Sequence, residues 1–521
     1  MMEYLKNNGI EPGIVFAFGG YLLMMIIIGA VCSKKSGSIG DYLLGGRGVG
    51  SWVTAMSAQA SDMSGWLLMG LPGAIYLGGM GEAWVAIGLA IGTLLNWLIV
   101  APRLRIYTAK TDSLTLSTFF AERFRDPTGL LRIVSAFIIL LFFTIYAASG
   151  MQAMGHLFNS MLGMNYQMAV LIGALVVLLY TLMGGYLAVC WTDLVQGILM
   201  FCAIIAVPII TLSAAGGMNN VINACAVKEL HIFPGEGSSL TWLGIISCAV
   251  WGLGYFGQPH ILSRFMSIKS VKLLPKTTTI AMIWVVISLF GAVAVALTAM
   301  PVLPDLTDKN AEKVFIYLIQ MLFNPWIGGV LLAAIMAAIM STIDSQLLVT
   351  TSALTEDFYL RVVHRAASVR ESVWVSRGFV LLITIIAALI ALFPNDSIFN
   401  VVKFAWGGFG AAFGPVVLMA LYSKKTTWQA ALAGMICGTA VALAWRLLGW
   451  GAVMYEILPG FVVNFAVMIV INLISGQKNP EIIQEFDECE AELKDPGVIA
   501  QAAQAAAEAA NSAAEAAAAE K

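Results

Sequence analysis

Residues 57–66 read SAQASDMSGW, a small and polar stretch in the middle of an apolar run. A regular helix that presented these side chains and the Asp62 carboxylate to lipid would be unstable. If the helix breaks here, freed carbonyls can bind a cation and freed N–H groups can face an anion. The alternative is close packing of small residues, with serine hydroxyls bonded to the preceding turn. The presence of a carboxylate inside a predicted span favours the break.

Composition places the chain in a membrane. Of 521 residues, 60% are hydrophobic and 11% are charged, and the mean hydropathy is +0.86. A soluble domain carries about 25% charged residues. The net charge of -2 gives no basic surface for nucleic acid. The seven cysteines and four histidines are scattered without metal or redox spacing, so we expect neither an enzyme nor a bound cofactor.

Apolar runs of about 20 residues, each long enough to cross a bilayer as a helix, recur along the chain. They predict an all-α polytopic protein with thirteen spans. We place the spans at 12–32, 51–78, 82–101, 131–155, 166–185, 190–213, 239–260, 277–300, 325–350, 374–394, 397–422, 427–449 and 455–475.

Basic residues give the orientation. Alternate predicted loops and the tail hold 22 of the 28 lysines and arginines, and such loops face the cytoplasm. This distribution predicts an outside N-terminus and an inside C-terminus, which requires an odd number of spans. We therefore expect a multi-pass protein of the cell inner membrane, with lipid around it and no obligate protein partner evident.

The chain divides at about residue 475. Residues 1–475 form the predicted transmembrane domain, and 476–521 form a cytoplasmic tail that is acidic and then rich in alanine. The tail has low complexity and no apolar stripe. It predicts a loose or partly helical appendage without chemistry.

Two further patches resemble binding surfaces. Ser341 lies three residues before Asp344 and four before Ser345, so the three share a helix face. Their oxygens suit a hard cation, although Ser/Thr contacts between helices are an equally good interpretation. Trp251 and Tyr255 also share a face, within a glycine-rich stretch that ends at Pro259 and favours a bent helix. They could line a solute site or form an interfacial aromatic belt.

Three acidic residues lie inside predicted spans, namely Asp62, Asp193 and Asp344. Each is a candidate functional group, because an ionisable side chain in the membrane is costly. Tyr146 could equally be a core residue or part of a solute site.

These patches resemble the sodium:solute symporter family, and within it the members that carry proline. The likeness covers about residues 12–475, and its carriers are 61–74 (SDMSGWLLMGLPGA), 142–146 (FFTIY), 251–260 (WGLGYFGQPH), 323–326 (FNPW) and 405–415 (AWGGFGAAFGP). The resemblance implies a LeuT-like fold with two inverted five-helix repeats, at about 51–213 and 239–422.

The family pattern also implies the site residues. Na⁺ would be held by the carbonyls of Ala60, Met63 and Ala338 and by the hydroxyls of Ser341 and Thr342. A second cation site could include Asp193, Asp344 and Ser345. The alternatives for Asp344 are titration with H⁺ and neutralisation by neighbouring groups. The substrate residues implied are Asp62, Ser64, Gly65, Trp66, Tyr146, Trp251, Tyr255 and Gln258.

The resemblance implies sodium-coupled symport of L-proline into the cell by alternating access. Proline fits physically, since backbone N–H groups can take its carboxylate and aromatic faces can pack against its ring and cation. The alternative is the same fold with another small amino or organic acid, or with proton coupling. A membrane sensor would need a longer cytoplasmic output domain than this tail, and an enzyme would need clustered catalytic groups.

Overall fold

A computed structural model describes residues 11–33, 39–182, 185–227, 231–235, 240–364 and 367–495. Within these residues the fold is all-α, and the only β-type pairing is an isolated bridge between Val49 and Ile268. The alanine-rich tail predicted beyond residue 495 lies outside the described residues. The helices in chain order are α1 Pro12–Ser33, α2 Ile39–Leu44, α3 Ser51–Asp62, α4 Leu71–Gly78, α5 Ala83–Leu95, α6 Ala101–Lys110, α7 Leu116–Arg123, α8 Leu130–Leu162, α9 Tyr166–Thr181, α10 Tyr186–Ala214, α11 Met218–Val227, α12 Trp242–Ala249, α13 Pro259–Ser267, α14 Leu274–Ala299, α15 Asp308–Ala311, α16 Val314–Leu322, α17 Pro325–Ser352, α18 Val369–Ala391, α19 Ile398–Tyr422, α20 Trp428–Leu447, α21 Ile457–Ser475 and α22 Pro480–Lys494.

Ten helices in the described parts of the chain are long and apolar enough to cross a membrane. Three shorter apolar helices, Trp66–Gly78, Tyr166–Leu179 and Trp242–Gly257, coincide with the other three predicted spans. Two of these three are segments of spans that the structure interrupts. The chain is thus a multi-pass membrane protein, whereas the count of thirteen crossings stays a prediction.

Some helices extend further than the sequence indicated. The span predicted at 82–101 continues to Lys110, and the span predicted at 325–350 continues to Arg361. Their ends carry charged residues, such as Arg105, which donates to the Ile268 carbonyl at 2.6 Å. Long basic side chains can keep their charge at the interface while the helix continues, so a hydropathy window ends these helices too early.

Helix α5 packs directly on the Val250–Gly257 segment, a tight 3₁₀-type turn, through Gly88 and Gly92. A Cβ atom at Gly88 would lie 2.1 Å from the Ala249 carbonyl oxygen, and one at Gly92 would lie 2.3 Å from that of Gly252. Two glycines four residues apart let the backbones of membrane helices approach each other. This contact holds the interrupted second span against its neighbour.

The acidic part of the tail is packed rather than loose. Helix α22 lies against helix α6, where Glu490 pairs with Arg103 and Glu488 with Lys110. The hydrogen bond from Lys110 lowers the pKa of Glu488. Asp487 also pairs with Lys424, at 3.1 Å. The sequence missed this docking because the charges that α22 pairs with lie more than 350 residues away in several cases.

We expect Gly92→Ala to destabilise the protein by about 1–3 kcal/mol, because the added methyl has no space and the helices must separate. Thermal unfolding in detergent, followed by tryptophan fluorescence, measures the change. Gly19→Ala is the matched control, since no atom lies within 4 Å of a Cβ added there. Equal melting temperatures for the two variants would contradict the close contact.

Candidate functional site

The first predicted break lies where α3 ends at Asp62. Met63 has φ -84° and ψ 76°, outside the helical region. The Ser64 N–H donates to the Asp62 carbonyl at 3.0 Å, whereas in a continuous helix it would donate to the Ala60 carbonyl. Helical turns resume at Trp66–Gly70. The break therefore releases the Ala60 carbonyl.

Four of the five predicted sodium ligands meet at this released carbonyl. The Ser341 hydroxyl lies 2.8 Å from the Ala60 carbonyl oxygen and 3.1 Å from that of Ala338. The Thr342 hydroxyl lies 3.5 and 3.2 Å from the same two oxygens. We call these four residues the sodium cluster, after the ion predicted for them from the sequence. Met63 is buried at the break, and in the described parts of the chain no hydrogen bond joins its carbonyl to the other four.

The sodium cluster has the chemistry that a hard cation requires. Two carbonyl and two hydroxyl oxygens converge from α3 and α17, and all four residues are buried. Hard cations prefer such oxygen ligands. The hydroxyls now donate to the carbonyls, so a cation would replace these hydrogen bonds with contacts to the oxygen lone pairs.

Asp62 is fully buried and is held by three aromatic side chains. The Tyr255 hydroxyl donates to its carboxylate. The Trp66 indole N–H donates to its carbonyl at 3.0 Å, and the Tyr146 hydroxyl reaches the same oxygen at 3.4 Å. Three residues predicted separately from the sequence therefore converge on the end of α3.

The second predicted break lies between α12 and α13. The segment Val250–Gly257 is a tight helix, and Gln258 is extended. Trp406 from α19 fills the groove beside it, because Gly254 has no side chain where the indole lies. The Trp406 indole donates to the Trp251 carbonyl at 2.9 Å, and the Gln258 amide donates to the Trp406 carbonyl at 3.2 Å.

Aromatic rings from both breaks form a wall. The rings of Trp66 and Trp251 lie 6.1 Å apart at 30°, and Phe399 lies 4.9 Å from Trp251. Tyr255 contacts Trp406 edge-on at 5.0 Å. A wall of this kind can pack against a compact ring or a cation.

Ser64 and Gly65 lie beside this wall. The Ser64 hydroxyl accepts from the Trp66 N–H at 3.4 Å. A Cβ at Gly65 would lie 3.0 Å from the Ala153 side chain and 3.2 Å from that of Ile339. These two predicted substrate residues line the break, and the glycine allows close helix approach.

A second polar cluster surrounds Arg264 of α13, and we call it the arginine cluster. The carboxylate of Asp193 accepts from the hydroxyl of Ser57 at 2.6 Å, from that of Ser61 at 3.2 Å and from the Arg264 guanidinium at 3.2 Å. The guanidinium also donates to the Ser345 hydroxyl at 2.5 Å. Asp193 and Ser345, predicted as parts of a second cation site, therefore meet around a side chain that the sequence had not indicated.

Asp344 lies on α17 beside Ser345 and is fully buried. It and Asp193 are both within electrostatic range of the Tyr21 hydroxyl on α1. That hydroxyl accepts from the Gln196 amide at 2.7 Å. Asp344 thus belongs to the same polar region of the protein interior, between α1, α10 and α17.

The sequence did not predict that Arg264 is buried, because the residue lies where the apolar pattern indicates a cytoplasmic loop. The structure places it inside helix α13, where the side chain has 0% exposure. Pro259 was the available signal, since proline is favoured in the first turn of a helix and here begins α13. A helix that starts at Pro259 would put Arg264 inside the fold rather than in a loop.

The sodium:solute symporter family model matches residues 42–438. This match covers most of the chain, including both breaks and both polar clusters. The chain belongs to the sodium:solute symporter family. The family predicted from the sequence motifs is therefore confirmed.

Relatives of this symporter are similar over nearly their whole length. The sodium/proline symporter of Escherichia coli strain K12 is 45% identical over 492 residues, which are 92% of this chain and 97% of that protein. A high-affinity proline transporter of Bacillus subtilis strain 168 is 47% identical over 470 residues, which are 89% of this chain and 98% of that protein.

Solved structures show the fold of the symporter. A Na⁺-coupled sialic acid symporter in a substrate-bound outward-open state aligns with a TM-score of 0.75 at 19% identity, over 90% of this chain and 99% of that one. The transporter MhsT in complex with L-phenylalanine aligns with a TM-score of 0.50 at 16% identity, over 81% of this chain and 97% of that one. Both are transporters with the LeuT-like fold, as the sequence motifs implied.

We expect Tyr255→Phe to lower the free energy of unfolding by about 1–3 kcal/mol, because the buried Asp62 carboxylate loses its donor. The ring and its contact with Trp406 are kept. Thermal unfolding of the purified symporter in sodium-free buffer measures the loss. Tyr422→Phe is the control, since it removes the same hydroxyl from a partly exposed tyrosine that donates to the Ile99 carbonyl. A loss no larger than the control's would contradict the importance of this hydrogen bond.

Proposed function

We propose that this symporter carries L-proline into the cell together with Na⁺, by alternating access. The observation that carries the proposal is the meeting of the released Ala60 carbonyl with the hydroxyls of Ser341 and Thr342, next to the Asp62–Tyr255 contact. The choice of proline follows from relatives that are 45–47% identical over about nine-tenths of the chain and are named for it.

Sodium binds in the sodium cluster. The carbonyls of Ala60 and Ala338 and the hydroxyls of Ser341 and Thr342 supply four oxygens, and Met63 supplies a fifth carbonyl once the break adjusts. Binding ties α3 to α17, because the ion takes ligands from both. Asp62 contributes negative charge two residues after Ala60 without being a direct ligand.

Proline binds beside the cluster, between the two breaks. Its carboxylate is taken by N–H groups near Ser64 and Gly65, which exchange their local hydrogen bonds for it at the positive end of a half-helix. The pyrrolidine ring and its ammonium pack against Trp66 and Trp251, and the hydroxyls of Tyr146 and Tyr255 complete the polar side.

Coupling follows from the shared break. Sodium fixes the backbone at Ala60, and proline uses the backbone four residues later at Ser64. Each ligand therefore favours the same arrangement, and by reciprocity each must raise the affinity of the other. When both sites are occupied, the helices can turn so that the sites open toward the cytoplasm. The low Na⁺ concentration there releases the ion.

The topology proposed for this cycle has thirteen crossings in residues 1–475, with the N-terminus outside and the C-terminus inside the cell inner membrane. Two inverted repeats, at about 51–213 and 239–422, each begin with an interrupted span. The positive-inside distribution supports this orientation. The docked helix α22 supports it as well, because its partners Arg103, Lys110 and Lys424 lie on the predicted cytoplasmic side.

Uptake of radiolabelled proline into proteoliposomes tests the function. Gradients of Na⁺, Li⁺ and H⁺ are imposed separately, and the expected result is uptake driven by Na⁺. Absence of uptake under every gradient would reject proline as the substrate. Uptake driven by H⁺ alone would reject sodium coupling but keep the substrate.

We expect Ser341→Ala to raise the Na⁺ concentration for half-maximal proline uptake by about tenfold or more, since a lost contact to an ion costs roughly 1.5–3 kcal/mol. Maximal uptake at saturating Na⁺ should fall less. Ser288→Ala is the control, because that hydroxyl is buried on α14 without a hydrogen-bond partner in the described residues. An unchanged Na⁺ dependence in Ser341→Ala would remove Ser341 from the site.

A further inference from the structure

We propose that the guanidinium of Arg264 takes the place of a second coupling cation, so that the symporter binds Na⁺ only in the sodium cluster. This inference rests on the proposed sodium coupling and deepens it. It assigns a role to the arginine cluster, namely Ser57, Ser61, Asp193, Arg264 and Ser345. The role is a fixed positive charge that never leaves the protein.

The arginine cluster is built like a cation site. Its oxygens come from three elements, with Ser57 and Ser61 on α3, Asp193 on α10 and Ser345 on α17. All are buried, with exposures of 0%. The hydroxyls of Ser61 and Ser345 lie 3.0 Å apart. One carboxylate with several hydroxyls at this separation matches what a hard monovalent ion would use.

The guanidinium already uses these oxygens. Its Nε donates to the Ser57 hydroxyl at 3.0 Å, and Nη2 donates to the Asp193 carboxylate at 3.2 Å and to the Ser345 hydroxyl at 2.5 Å. Its Nη1 donates to the His260 carbonyl at 2.9 Å. Because the same three oxygen groups would have to hold Na⁺, the ion and the guanidinium compete for one place.

Electrostatics opposes joint occupancy by Arg264 and Na⁺, although Asp344 is a second buried carboxylate in this region. An arginine side chain stays protonated in proteins, so Arg264 brings a permanent positive charge to the Asp193 carboxylate. A second cation among the same oxygens would lie within a few ångströms of the guanidinium, in a region with little solvent to screen the repulsion. The negative charge of Asp193 is already balanced.

The arginine cluster adjoins the sodium cluster. Ser61 follows Ala60 directly on α3, and Ser345 lies one helical turn after Ser341 on α17. The Arg264 charge therefore connects α13, which follows the second break, to the same two helices that hold Na⁺. Arg264 holds these helices together at all times, whereas a second ion would do so only while it is bound.

The two possible roles of Arg264, a structural ion pair with Asp193 or a replacement for a coupling ion, predict different responses to Na⁺. Loss of Arg264 would destabilise the protein in either case, because the Asp193 carboxylate would be left buried and unbalanced. Na⁺ would restore the stability of a variant without Arg264 only if the remaining oxygens of the arginine cluster can bind a cation. Rescue by the ion, rather than loss of stability, is the informative measurement.

The experiment compares wild type with Arg264→Gln, Asp193→Asn and the double variant Asp193→Asn/Arg264→Gln. Equilibrium binding of radioactive sodium gives the number of ions per chain, and melting temperature is followed as NaCl replaces choline chloride at constant ionic strength. We expect one Na⁺ in wild type, two in Arg264→Gln and one in the double variant. The melting temperature of Arg264→Gln should rise toward the wild-type value with Na⁺ and not with choline.

Arg123→Gln is the matched control. Arg123 is also a buried arginine, but it donates to the Ala420 carbonyl at 2.9 Å and to that of Ser423 at 3.3 Å. Its loss should lower stability without any added response to Na⁺. An equal sodium rescue in Arg123→Gln would mean that the effect is general, which overturns the inference.

Two results overturn the inference directly. Two sodium ions bound to wild type would show that the guanidinium does not replace an ion, and this measurement needs no variant. One ion bound to Arg264→Gln, without a sodium-specific rise in melting temperature, would show an ordinary ion pair. If Arg264→Gln cannot be purified, a count of two ions in wild type still overturns the inference. A wild type that binds one Na⁺ but fails to take up proline would reject the proposed substrate and keep this inference.

Discussion

The hydrogen bond from Tyr255 to Asp62 joins the two interrupted spans at their breaks. A carboxylate with no exposure to solvent must find donors inside the protein, because an unpaired buried charge costs several kcal/mol. Tyr255 supplies one from the second break, and Trp66 and Tyr146 bind the carbonyl of the same residue. The geometry of the first break, and with it the released Ala60 carbonyl, depends on this contact.

The irregular backbone is tolerated because protein surrounds it. Unsatisfied peptide groups cannot face lipid, and here the hydroxyls of α17 cover the Ala60 carbonyl while the Trp406 indole covers that of Trp251. Glycine is needed where backbone meets backbone, as at Gly92, or where an indole lies against it, as at Gly254. The two breaks are thus stable without being solvated, which leaves their polar groups available for exchange with ligands.

The sequence predicted those parts of the site that depend on local composition. Asp62 among small polar residues predicted the first break, and the i, i+3 and i, i+4 spacing after Ser341 predicted one oxygen-rich face. The features that were not predicted depend on contacts between residues far apart in sequence, or on helix ends that carry charged side chains. Arg264 looked like a loop charge because a hydropathy window cannot recognise a helix that restarts after Pro259. The docking of helix α22 was not predicted, because its charges find their partners only in three dimensions.

A positive charge that stays with the protein limits the solute concentration gradient that the symporter can build up. Only a cargo ion gains work from the membrane potential, and one charge gains about 2.3 kcal/mol per 100 mV. This amount corresponds to roughly a 50-fold solute gradient from the potential alone, whereas two moving ions would square that ratio. If Arg264 takes the place of a second coupling cation, as we propose, the symporter reaches a smaller solute gradient but moves half as many sodium ions with each solute molecule.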